Sequence, residues 1–158
     1  MTIYFDLDGT LRDLCTLALG MLPNNWEYKN KYGENLVDVV NKYPWMCEHA
    51  QPLGFVDVVN KLKLPIVILT SQPMTWRGYT ERWLRNHIKI PYDVEYVEKI
   101  SDKSGRLKDG DVLVDDYPMF DDYSRVILIR QPWNANVHVM GCWTPSQLER
   151  IFEEKGWI

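Results

Sequence analysis

The hexapeptide Asp6-Leu7-Asp8-Gly9-Thr10-Leu11 directly follows the apolar run Ile3-Tyr4-Phe5. In an extended segment alternate side chains face the same way, so Asp6 and Asp8 share a side. Two carboxylates at the end of a buried strand repel each other unless a cation lies between them. A hard divalent ion such as Mg²⁺ meets that need with oxygen ligands. Gly9 then permits a sharp turn that brings backbone N–H groups toward an anion. A second acidic pair, Asp115-Asp116, follows Val112-Leu113-Val114 and suits the same metal, with either carboxylate as the direct ligand. Thr70-Ser71 closes another apolar run, where hydroxyls and turn N–H groups can donate to phosphate oxygens. The same pair also reads as a helix N-cap, and the two readings agree because helix N-termini favour anions. One cation is still needed beside Asp6 and a phosphate. Lys99, Lys103 and Lys108 all precede the 112–114 run, and Lys103, in Ser101-Asp102-Lys103-Ser104-Gly105, is the first choice.

These residues sit at the ends of elements that must hold them. Residues 1–5, 66–69, 112–114 and 126–129 are short runs rich in Ile, Val and Leu, bounded by Asp, Gly, Pro or Ser. Such runs suit strands buried on both faces of a sheet. Residues 92–97 alternate and predict a further strand nearer an edge. Between them, Leu53, Val56, Val59 and Leu62 recur at helix spacing, as do Trp76, Tyr79, Trp83 and His87. A last helix is predicted from Thr144, with Pro145 at its first position and Gln147 completing a capping box, to about Lys155 before Gly156. Alternating strands and helices predict an α/β fold with a Rossmann-like parallel sheet, helices on both faces, and ligand chemistry at the strands' carboxyl ends. Residues 12–51 break the alternation, with helical signals at 14–22 and 34–42. A structureless loop of roughly forty residues is rare in a compact domain. The expectation is a small helical cap over residues 12–51, inserted after the first strand into a core of residues 1–11 and 52–158.

The chain has 158 residues, 18 Lys+Arg against 22 Asp+Glu, and a formal net charge of −4. That length suits one domain with a real core. The acidic balance argues against polymeric nucleic acid as a partner but leaves room for a small anionic substrate. Cys15, Cys47 and Cys142 are odd in number and lack metal-ligand spacing, which points to a reducing compartment. No apolar run approaches a membrane span, and the N-terminal residues lack a basic segment and a cleavage site, so the expectation is a cytoplasmic protein with no membrane partner. A homodimer is compatible with the sequence and not specified by it. His49, His87 and His138 share no metal-ligand spacing, and Asp121-Asp122 reads as a solvated turn.

The order D-x-D-G-T-L, strand-Thr-Ser, Lys, strand-Asp-Asp spans nearly the whole chain and resembles the haloacid dehalogenase-like superfamily. Within it, the stretches 51–56, Ile68-Leu69-Thr70-Ser71-Gln72-Pro73, Asp102-Lys103-Ser104, Val114-Asp115-Asp116-Tyr117-Pro118 and Ile129-Arg130-Gln131-Pro132-Trp133-Asn134 resemble the 5'(3')-deoxyribonucleotidase family. The resemblance implies a Mg²⁺-dependent phosphatase acting on nucleoside monophosphates. Asp6 would form an aspartyl-phosphate, and Asp8 would act as general acid and then base. The metal would lie among Asp6, the Asp8 backbone carbonyl, and Asp115 or Asp116. Thr70, Ser71 and Lys103 would hold the phosphoryl oxygens. Leu14, Trp45 and Met46 match positions that the family places over the base, although Trp45 also reads as cap core. The Lys103-to-Asp115 spacing is longer than the family's, which keeps Lys108 as a rival. The alternatives are a superfamily phosphatase for a sugar phosphate or a polynucleotide 3'-phosphate, and a non-catalytic phosphate-binding protein.

Overall fold

A computed structural model describes residues 1–158. The elements run β1 (Ile3–Phe5), β2 (Arg12–Asp13), α1 (Leu14–Leu19), α2 (Leu36–Lys42), α3 (Met46–His49), β3 (Gln51–Pro52), α4 (Phe55–Val59) and β4 (Ile66–Thr70). They continue as α5 (Arg77–His87), β5 (Tyr92–Tyr96), β6 (Val112–Asp115), β7 (Val126–Ile129), β8 (Gly141–Cys142) and α6 (Pro145–Glu154). Six strands form one parallel sheet in the order β5-β4-β1-β6-β7-β8. The chain therefore winds outward from β1 in both directions, as in a Rossmann-like fold. In such sheets the crevice beside the reversal of strand order, at the carboxyl ends, is where ligands bind. Here that crevice lies where β1 adjoins β6, with Phe5 paired to Val114.

Strand alternation divides the core between the two faces. Ile3, Phe5, Ile66, Ile68, Val114 and Ile129 pack against Val56 and Val59 of α4, Trp83 and Leu84 of α5, and Leu148 and Phe152 of α6. On the other face Tyr4, Leu69 and Leu113 meet Val97 and Phe120, with Leu107, Tyr117 and Tyr123 closing over them. A 3₁₀ helix, Ile100–Arg106, carries Lys103 on that side. Helix ends follow local chemistry. Thr144 and Gln147 form the expected capping box of α6, with Pro145 in its first turn, and Gly156 follows at φ +68. The edge position expected for residues 92–97 is where β5 lies. The strand β8 carries no apolar run; its pairing with β7, not its composition, makes it a strand.

Residues 12–51 leave and rejoin the core through a two-stranded antiparallel ribbon, Arg12 opposite Pro52 and Asp13 opposite Gln51. Within the segment, α1 ends at Gly20, whose φ of +73 suits a left-handed terminus. The helix α2 starts at Asn35, which shares a capping box with Asp38. Leu14, Val40, Cys47 and Ala50 form a separate small core that also receives Trp76 from ahead of α5. The third helix, α3, has no apolar periodicity of its own and is held by packing against α5.

Candidate active site

Asp6 follows β1 and Asp115 ends β6, so two neighbouring strands deliver carboxylates to one point. Lys103 lies between them. Its Nζ donates to Asp6 Oδ1 at 2.5 Å and to Asp115 Oδ2 at 2.7 Å, and its side chain is 2 % exposed. The other Asp115 oxygen accepts from the Tyr117 amide at 2.8 Å. Lys99 and Lys108 are exposed, so the geometry selects Lys103 among the three lysines. Between β5 and β6 the chain forms the 3₁₀ helix Ile100–Arg106, with Val97 before it and Leu107 after it packed in the second face's core.

Asp116 is 2 % exposed and has no cation in contact. Its oxygens accept from the Thr10 hydroxyl at 3.1 Å and the Trp133 indole N–H at 2.8 Å. Asn134 donates to its carbonyl at 2.8 Å, and Gln131 donates to the Gly9 carbonyl at 2.7 Å. Gly9 itself has φ +89, and a β-carbon there would collide with the Asp116 carboxylate and lie 2.9 Å from the Trp133 ring. The turn after β1 thus needs glycine twice over, for its backbone angle and for the approach of Asp116.

The second carboxylate of the first motif has a different environment. Arg12 grips Asp8 with two parallel bonds, Nε to Oδ1 at 2.7 Å and a terminal nitrogen to Oδ2 at 2.9 Å. Asp8 is therefore not among the carboxylates that converge as a metal could use them. Those are Asp6, Asp115 and Asp116, with one oxygen from each lying within 4.8 Å of the others. Burial drives the acid–base behaviour. It raises the Asp6 pKa despite the Lys103 ammonium, with Asp115 adding to the rise. It raises Asp116 well above the ordinary carboxylate value, and the neighbouring charges of Asp6 and Asp115 act the same way. Burial works against the Lys103 ammonium, but Asp115 and Asp6 outweigh it and hold its pKa above the ordinary lysine value.

A cavity of about 280 Å³ opens over these groups. Asp6, Asp8, Thr70, Ser71, Lys103, Asp115 and Asp116 all line it. The Thr70 hydroxyl accepts from Gln72 Nε2 at 3.3 Å, which leaves its own proton free to donate, while Ser71 donates to the Glu98 carbonyl at 3.1 Å. The remaining wall is largely apolar and aromatic, with Leu19, Trp26, Tyr28, Leu36, Trp76 and Trp133. Leu14, Trp45 and Met46 do not line it, contrary to expectation. Leu14 is fully buried in the core of the inserted segment, and Met46 packs against that core. Trp45 is 44 % exposed and meets His49 edge-on at 5.8 Å. The helices α1 and α3 turn these side chains inward or to solvent, and the loop around Trp26 and Tyr28 supplies the wall instead.

Cys15 also reaches the cavity, but burial pushes its thiol up to about 12, so it stays protonated at neutral pH. The three cysteines are buried and unpaired. Asp121 and Asp122 are exposed, as a solvated turn requires. Sequence reasoning missed Arg12, Thr10 and the Trp26–Tyr28 wall. The signal for Arg12 was present, since it stands four residues after Asp8. Trp26 carries no such signal, because only folding brings its loop to Tyr117, where the rings meet at 5.2 Å.

No helix is long and apolar enough to cross a membrane. The chain matches no protein-family model and no curated protein.

Proposed function

We propose that this chain is a Mg²⁺-dependent phosphomonoesterase acting on a nucleoside monophosphate, of the haloacid dehalogenase-like type and similar to the 5'(3')-deoxyribonucleotidases. The observation that carries the reading is the placement of a buried carboxylate, Asp6, between a lysine and two further carboxylates at the floor of an aromatic-walled cavity. Asp6, Asp8, Asp115 and Asp116 meet only two cations, Arg12 and Lys103. Arg12 is engaged by Asp8, so Asp6, Asp115 and Asp116 share the single ammonium of Lys103 in a buried place, an excess of carboxylate groups that a divalent cation matches. The donors are hard oxygens, which suits Mg²⁺, and Asp6, Asp115 and Asp116 would hold it. When bound, Mg²⁺ neutralises charge on the transferring phosphoryl group.

An Asp6 oxygen attacks phosphorus and forms an aspartyl-phosphate, while the bond from phosphorus to the ester oxygen breaks. Asp8 gives its proton to the departing alkoxide. It then takes a proton from the water that attacks phosphorus, which releases phosphate and restores the Asp6 carboxylate. Lys103, the Thr70 hydroxyl and Ser71 hold the phosphoryl oxygens. Trp26 and Tyr28 offer flat faces against which a base can stack. A cavity near the lower end of the small-ligand range, about 300–1,000 Å³, fits a mononucleotide better than a chain of them. Three unpaired, buried cysteines support a reducing, cytoplasmic location.

Turnover of p-nitrophenyl phosphate with and without Mg²⁺, in wild type and Asp6→Asn, tests the chemistry. Turnover that needs both the metal and Asp6 is expected; turnover indifferent to Asp6 overturns the reading. A panel of dUMP, dTMP, other nucleotides and sugar phosphates then tests the substrate class. Hydrolysis of a sugar phosphate without any nucleotide would end the nucleotidase assignment.

A further inference from the structure

Arg12 is a fully buried arginine inside a site that has too few cations. Its guanidinium uses three nitrogens on four acceptor atoms of three residues. Two of them grip Asp8, and Nη1 donates to the Cys47 carbonyl at 2.7 Å and to the Thr80 hydroxyl at 3.0 Å. Its plane lies by the Trp83 ring, 5.6 Å from the centroid. Thr80 passes the contact on, donating to Gln72 Oε1 at 2.8 Å, and Gln72 Nε2 reaches the Thr70 hydroxyl at 3.3 Å. One unbroken chain of hydrogen bonds therefore runs from Asp8 through Arg12, Thr80 and Gln72 to Thr70. It draws on the first motif, the inserted segment at Cys47, the helix α5 and the end of β4. The backbone is tied in as well: Arg12 pairs with Pro52 in the ribbon, and its carbonyl accepts from the Gly9 amide at 2.9 Å.

A carboxyl group that must hand a proton to a leaving group has to sit at a fixed distance and angle from it. An aspartate on a turn is free to rotate about its first side-chain bond unless something holds both oxygens. A planar guanidinium does that, and an ammonium cannot, because it is a point charge without a fork. In the phosphatase proposed for this site, and resting on that reading, we infer that Arg12 is the positioning residue that orients Asp8 toward the leaving-group oxygen and ties that orientation to the phosphate-holding end of β4. Arg12 touches neither substrate nor metal in this role. It acts through Asp8.

Leaving-group dependence separates orientation of the acid from general support of the fold. Departure of p-nitrophenolate needs no proton, whereas departure of an alkoxide does. The ratio kcat/KM reports steps up to loss of the leaving group, before Asp8 acts as base. The experiment measures kcat/KM for p-nitrophenyl phosphate and for the alkyl phosphate that wild type turns over fastest, with saturating Mg²⁺. Wild type is compared with Arg12→Lys, Thr80→Val, Asp8→Asn and the double variant Arg12→Lys/Asp8→Asn. The alkyl-to-nitrophenyl ratio should fall tenfold or more in Arg12→Lys. It should fall in the same direction but less in Thr80→Val, and the double variant should drop no further than Asp8→Asn alone. Thr80→Val removes one hydroxyl at nearly constant volume, so it gives the answer even if Arg12→Lys does not fold. Equal losses on both esters, or a ratio unchanged in every folded variant of Arg12 and Thr80, would overturn the assignment while leaving the phosphatase intact. A wild type inert toward both esters would overturn the phosphatase itself, and Arg12's role with it.

Discussion

Asp6 and Asp8 are two residues apart and identical in type, yet the fold gives them opposite surroundings. Asp6 is sunk beside a lysine and two more carboxylates, and Asp8 is gripped by an arginine at the cavity wall. Such a difference in surroundings is how one motif can divide nucleophile from acid–base work. Asp8→Asn keeps an acceptor for Arg12 and leaves Asp6, Asp115 and Asp116 in place. It is expected to retain Mg²⁺ binding, read by titration calorimetry, while turnover of an alkyl phosphate falls by about 10²–10⁴. Unchanged turnover would remove Asp8 from the chemistry. Trp26 lines the same cavity, edge-on to Tyr117. Base stacking on an aromatic side chain contributes about 1–3 kcal/mol, so Trp26→Ala is expected to raise KM for a nucleoside monophosphate by about 5- to 150-fold. The same variant should barely change KM for phosphate esters that lack a base. A KM that rises equally for both would place the base elsewhere.

Among the elements, the turn after β1 is the most constrained. Its glycine adopts φ +89 and packs against Asp116 and Trp133, while the following residues return hydrogen bonds to Leu7. An L-residue in the left-handed region costs about 1–2 kcal/mol before any clash is counted. For a domain of this size 1 kcal/mol shifts Tm by about 2–4 °C. Gly9→Ala is therefore expected to lower Tm by at least about 2–8 °C in a thermal melt, the clash adding to the backbone cost. It should also weaken Mg²⁺ binding, since the Asp116 carboxylate must move aside. A variant with wild-type Tm and metal affinity would show that the turn tolerates the β-carbon. The elements around the turn follow one plan: β1, β4 and β6 end together, and each delivers polar side chains past its last buried apolar residue.

For the molecule as a whole, the site is an electrostatic cost that the core must carry. Asp116 has its carboxyl pushed up by burial and then by Asp6 and Asp115. A folded-state pKa above the ordinary 3.8 means that the protonated form is the one the fold favours. Its stabilising share is fully present below that value and is lost as pH rises through the folded pKa. The metal-free protein should therefore melt at lower temperature as pH rises across that range, and Mg²⁺ should restore more stability at pH 8 than at pH 5. Asp116→Asn can still accept from Trp133 and donate to Thr10. It is expected to raise the metal-free Tm at pH 8 above wild type and to reduce the Mg²⁺-induced shift, both read by calorimetric melting. A wild-type pH dependence in that variant would assign the effect to other groups.

Periodicity made the sheet legible, because strands buried on both faces read as unbroken apolar runs and the helices between them as spaced ones. That accounts for β1, β4, β6, β7, α4 and α5, while capping residues at Thr144–Gln147 and Gly156 marked α6. Strand-end polar residues were legible for the same reason: a carboxylate or hydroxyl directly after a buried run has one place to go, the carboxyl edge of the sheet. Very short elements were not legible. β2, β3, β8 and α3 have two to four residues each and owe their form to partners distant in sequence. Sinking Lys103 between Asp6 and Asp115, seating Arg12 on Asp8, and lining the cavity with Trp26 rather than Trp45 were decisions of tertiary packing. Each depends on which face a side chain presents after loops of ten to forty residues close, and local sequence carries no information about that closure.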